Sequence, residues 1–123
     1  FVYLCAPVAH PKVLLVDDSA LVRAVVAHAL AAEYEIASID DPRGLAAEVA
    51  RFSPDLLLVD ASYPGITDDA LVELVAPHAP SRPVVLFSDR AEAEVRALVG
   101  RIGARGFVPK DGATLAKRLV SFL

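Results

Sequence analysis

Three aspartates, a serine and a lysine stand at the carboxyl ends of short apolar runs. Asp17 and Asp18 follow Lys12-Val13-Leu14-Leu15-Val16, and Asp60 follows Asp55-Leu56-Leu57-Leu58-Val59. Ser88 follows Pro83-Val84-Val85-Leu86-Phe87, and Lys110 follows Gly106-Phe107-Val108-Pro109. In an open parallel sheet, ligands bind beyond the carboxyl ends of the strands, where the strand order reverses. If the first and third strands are neighbours, the three carboxylates share one crevice. Carboxylates so close repel, and one takes up a proton unless a cation compensates. A hard divalent ion resolves the conflict, and Mg2+ typically takes one or two carboxylates together with phosphate oxygens. Lys110 adds a second positive charge and Ser88 a hydroxyl donor. The set is a cradle for a phosphoryl group around a nucleophilic carboxylate, the chemistry by which aspartyl phosphates form.

Each residue alone has a plainer reading. Asp17 or Asp18 would cap a helix, Ser88 would sit in a turn and Lys110 would be a solvated charge. For Asp60 the two readings balance. Their joint placement at four strand ends carries the functional one.

Short apolar runs alternate with longer helical patterns, the signal of an α/β fold with a parallel sheet. Strands are expected at 12–16, 34–39, 55–59, 83–87 and 106–109. Ser19 is an N-cap for a helix reaching about Ala32, with Leu21, Val25, Ala29 and Leu30 available to the core. Asp40 to Pro42 opens a short second helix. Tyr63-Pro64-Gly65 is turn chemistry. Thr67 to Ala76 follows as a helix with Asp68 and Asp69 in its first turn. Further helices are expected at 91–102 and 112–123. The Leu56-Leu57-Leu58-Val59 run implies burial on both faces. The first helix is apolar on more than one side (Ala20, Leu21, Val22, Val25, Val26), which fits either deep burial or a homodimer face shared with the last helix.

The chain has 123 residues, 55% hydrophobic and 23% charged, a composition opposite to that of disordered chains. A net charge of −4 gives no support to direct nucleic-acid contact. No apolar run approaches the ~20 residues that span a bilayer. The single Cys5 excludes an internal disulfide framework and fits a reducing, cytoplasmic compartment. His10, His28 and His78 lack metal-ligand spacing. Residues 1–11 are read as an N-terminal extension without signal-peptide character, and 12–123 as one domain.

The segments VLLVDDS with Arg23 downstream, PDLLLVDASYPG, VVLFS and GARGFVPK resemble, in their order and spacing, the receiver domain of two-component response regulators. The resemblance covers about residues 12–123. It implies a flavodoxin-like, doubly wound (βα)5 three-layer sandwich with parallel strand order 2-1-3-4-5. It implies that Asp60 takes a phosphoryl group from a sensor histidine kinase or phosphotransfer protein. Asp17, Asp18, Asp60 and the backbone carbonyl of Ser62 would hold Mg2+, and Lys110 would pair with the phosphoryl group. Ser88 would move to hydrogen-bond it, and Phe107 would change rotamer in response. That change would alter the helix 4–strand 5–helix 5 face read by a downstream effector.

Three positions depart from the family pattern. Asp89 stands where a small residue is usual, and an acid there would crowd, repel or shield the phosphoryl group. Tyr63 replaces a common methionine and reads as a loop substitution. Asp111 replaces a frequent proline after Lys110, where a cis bond would cost a few kcal/mol more. The alternative on the same fold is a pseudo-receiver, a protein-interaction module that phosphate does not switch. A haloacid-dehalogenase-like phosphatase would need an acid two residues after the nucleophile, and position 62 is Ser.

Overall fold

The computed structural model describes residues 10–111 and 114–123. Most of the 1–11 extension, Cys5 and the expected helix start at Gly112 lie outside the described residues. The elements run β1 (Lys12–Val16), α1 (Ala20–Leu30), β2 (Glu35–Ile39), α2 (Leu45–Phe52), β3 (Leu56–Asp60) and α3 (Asp68–Val75). They continue with β4 (Val84–Ser88), α4 (Glu92–Ile102), β5 (Gly106–Pro109) and α5 (Leu115–Val120). The five strands are parallel, in the order β2-β1-β3-β4-β5.

Alternate residues of the central strands feed two cores. Leu14, Val16, Leu57, Val59, Val84 and Leu86 face α2, α3 and α4. Val13, Leu15, Leu56, Leu58, Val85 and Phe87 face α1 and α5. Helices therefore cover both faces, as expected for continuous apolar strands. Gly106 lets the Phe122 ring close over the edge of the sheet, since a Cβ there would lie 2.8 Å from Phe122 Cε1.

Several expected boundaries shift. β3 and β4 each begin and end one residue later than the apolar runs suggest, so Asp60 and Ser88 are the last residues of their strands. Asp41 caps a single 3-10 turn over Pro42–Gly44, and α2 starts only at Leu45. α1 ends at Leu30 rather than Ala32, and turns carry the chain into β2. Its core face also differs: Val26 and Leu30 are buried, whereas Leu21 is 74% and Val25 51% exposed. The i, i+4 series through Val22, Val26 and Leu30 sets the helix phase, which turns Leu21 and Val25 to solvent. Deep burial is thereby excluded for that side of α1.

Candidate functional site

β1 and β3 are adjacent, so their carboxyl ends bring Asp17, Asp18 and Asp60 together. One carboxylate oxygen from each lies within 4.8 Å of the other two. Local hydrogen bonds fix them. Asp17 continues the pairing of β1, its amide donating to Ile39 O at 3.1 Å. Its Oδ1 accepts from the Ser19 amide at 2.9 Å, while Ser19 Oγ accepts from the Val22 amide and caps α1. Arg23 donates to the Asp17 carbonyl at 2.8 Å. Asp60 Oδ1 accepts from the Ser62 amide at 3.2 Å. Lys110, just past β5, places Nζ 3.1 Å from Asp60 Oδ2 and 3.3 Å from Asp17 Oδ2, above the face of Phe87.

The electrostatics are those of a site short of positive charge. Burial, then the charge of Asp17, raises the Asp60 carboxyl to about 6, and Lys110 and the Ser62 amide offset this only in part. Burial pulls Lys110 down, but Asp60 and Asp17 outweigh it and leave the ammonium above its ordinary value. Asp17 Oδ2 is buried and has the Lys110 ammonium, 3.3 Å away, as its partner. One ammonium faces three carboxylates. The donor set, three clustered carboxylates of hard oxygen offset by a single ammonium, fits a small divalent cation such as Mg2+. Among the described residues no other group of three or more acids, histidines or cysteines has metal-holding geometry.

The remaining expected residues lie around this centre. Ser88 is buried, and its Oγ accepts from the Arg90 amide at 2.9 Å. Ser62 is exposed on the loop after Asp60. Phe107 is half-buried on β5 with the Arg96 guanidinium 5.5 Å from its ring centroid. Asp89 is exposed and stands outside the acidic trio. Among the described residues every peptide bond is trans, that after Lys110 included. His10 meets the Glu33 carbonyl, His28 is exposed, and burial followed by Arg82 lowers His78. An apolar recess of about 180 Å³ opens beside Lys110, lined by Leu21, Val22, Val25, Val26 and Phe87.

Two residues at the site escape the sequence reading. Tyr63 is no mere loop substitution: its hydroxyl is buried and donates to the Val16 carbonyl at 2.7 Å. Burial, with Asp60, Asp17 and Asp18 nearby, raises the phenol and keeps it protonated as a donor. Arg90 binds the Ala61 carbonyl and Asp68. An aromatic hydroxyl three residues after Asp60, and an arginine two after Ser88, are the signals that could have found them.

With strands in the order 2-1-3-4-5 and three carboxylates beside a lysine at their carboxyl ends, the chain belongs to the response regulator receiver domain family, whose pattern matches residues 13–120. Chemotaxis protein CheY4 of Vibrio cholerae superposes with a TM-score of 0.82 at 29% identity, over 94% of this chain and 100% of that one. A protein-glutamate methylesterase/protein-glutamine glutaminase of Myxococcus xanthus is 34% identical over 88% of this chain and 32% of its own length. The DNA-binding transcriptional regulator NtrC of Salmonella typhimurium is 27% identical over 89% of this chain and 24% of its own length. The chain thus spans a third or less of the length of these curated relatives. Among the described residues, no helix is long and apolar enough to cross a membrane.

Proposed function

We propose that this receiver domain accepts a phosphoryl group on Asp60 from a phosphohistidine of a sensor histidine kinase or phosphotransfer protein. The observation that supports this most is the buried Asp60 carboxylate, raised to about 6 beside Asp17 yet held 3.1 Å from Lys110. An Asp60 oxygen attacks phosphorus and forms the new O–P bond. The P–N bond breaks, and its electron pair leaves on the imidazole nitrogen. Such transfer depends on positioning and charge stabilisation more than on proton movement. Asp17, Asp18, Asp60 and the Ser62 carbonyl would hold Mg2+, which when bound offsets the negative charge gathering on the transferred group. Lys110 would meet a phosphoryl oxygen, a role supported by its place 3.1 Å from Asp60 Oδ2.

The switch follows from competition for Ser88. Its hydroxyl would leave the Arg90 amide for the phosphoryl group, and Phe107 would change rotamer on β5. The population of the α4–β5–α5 face would shift accordingly. Chemistry is confined to the domain's own phosphorylation and dephosphorylation, in the cytoplasm. The output belongs to an effector joined to it or bound by it. The methylesterase and the transcriptional regulator, which it matches over a minority of their length, illustrate two such outputs.

Beryllofluoride with Mg2+ tests the reading as a phosphoryl mimic. Amide resonances of Ser88 and Phe107 should shift in the native domain and not in Asp60→Asn. Unchanged spectra for the native domain would contradict it.

A further inference from the structure

The segment from Asp60 to Ile66 is tied down at nearly every residue. The Ser62 amide donates to Asp60 Oδ1, and the Ala61 amide to Phe87 O at 3.2 Å. Beyond it, Tyr63-Pro64-Gly65-Ile66 closes a tight turn, with Ile66 N bonded to Tyr63 O at 3.3 Å. Gly65 at φ +75° meets the left-handed requirement of the third position of such a turn, and Pro64 presets the second. Ser62, exposed between these anchors, is held by its amide's bond to Asp60 Oδ1 and by the neighbour on each side. On one side that neighbour is Ala61, buried against the sheet. On the other it is Tyr63, whose ring belongs to the core and whose hydroxyl reaches the last residue of β1 at 2.7 Å. Val16, the acceptor, directly precedes Asp17. One phenolic hydroxyl therefore connects the loop bearing Ser62 to the strand end bearing two of the three aspartates.

We infer that Tyr63 is a positioning residue for the cation site, its hydroxyl fixing the Ser62 backbone relative to Asp17 and Asp18. The inference rests on the cation-binding part of the proposed function. Preorganised oxygen donors bind a cation without the cost of ordering them first, so the loss of this tether appears as weaker Mg2+ binding. Phenylalanine retains the ring in the core and removes only the donor.

The test is calorimetric titration of the whole chain with Mg2+. Tyr63→Phe should raise the Mg2+ dissociation constant about three- to tenfold, the worth of one hydrogen bond of this kind. Exchange of the Ser62 amide should quicken by a similar factor. Leu71→Ala, in the same core but without a tether to β1, should destabilise the fold and leave Mg2+ affinity at the native value. Native affinity in Tyr63→Phe, or equal weakening in Leu71→Ala, would overturn the positioning role and leave the receiver reading intact. A native chain that binds no Mg2+ would overturn both.

Discussion

The guanidinium of Arg90 lies 3.0 Å from the carbonyl oxygen of Ala61, a hydrogen bond that joins the loop after β4 to the residue following Asp60. The same side chain takes both carboxylate oxygens of Asp68 at the start of α3, and Glu94 on α4. Its own amide holds Ser88 Oγ. One residue thus links the candidate switch hydroxyl to the candidate nucleophile's loop. Arg90→Ala should lower stability by about 1–2 kcal/mol, since the bonded carbonyl is buried but the ion pairs are partly exposed. Arg90→Lys should recover only part of this, lacking the fork that spans Asp68. Urea unfolding midpoints check both.

Asp60 should cost the metal-free domain stability at neutral pH. Its carboxyl is raised from 3.8 to about 6 in the fold, so between those pH values the folded chain holds a proton there that the unfolded chain has released. Stability from this group therefore falls as pH rises from about 4 to about 6. Asp60→Asn removes the penalty and should stabilise the metal-free domain at pH 7 by about 3 kcal/mol at most. The gain should vanish near pH 4. Thermal unfolding in chelator across that range provides the measurement.

Added Mg2+ should offset most of that penalty in the native domain. A ligand bound only by the folded state contributes about 2.7 kcal/mol at a concentration of 100 dissociation constants. The native domain should melt higher with Mg2+ and return to its lower midpoint with excess chelator. Asp17→Asn, which removes one of the clustered carboxylates, should show little of either change.

The α1 face beside the site should tolerate charge. Leu21 is 74% exposed while Leu30 is fully buried. Leu21→Glu should therefore change stability by less than about 0.5 kcal/mol. Leu30→Ala should cost about 2–5 kcal/mol. Because Leu21 lines the recess next to Lys110, Leu21→Glu should slow transfer from a phosphohistidine protein and spare labelling by acetyl phosphate. Denaturant titration and parallel labelling assays separate the two effects.

The parts of the fold legible in the sequence were those set by local pattern. Val13–Val16 and Leu56–Val59 announce strands covered on both faces, and Ser19 and Thr67 announce helix starts that their side chains do cap. The adjacency of β1 and β3 was not legible from pattern, because pairing is a long-range choice, and it came from family resemblance. The phase of α1 was obscured because Leu21, Val22, Val25 and Val26 are all apolar, so periodicity had two solutions. Tyr63 was missed because its acceptor lies 47 residues away, and Arg90 because its side-chain partners sit in one other loop and two helices. Residue type signals what a side chain can do, but not which distant carbonyl will face it.

Intact-mass measurement after incubation with acetyl phosphate and Mg2+ tests Asp60 as phosphoacceptor most directly. The native chain should gain a single phosphate adduct that is absent from Asp60→Asn and lost on addition of chelator before the donor. An unmodified native chain, or an adduct of equal yield in Asp60→Asn, would contradict that role.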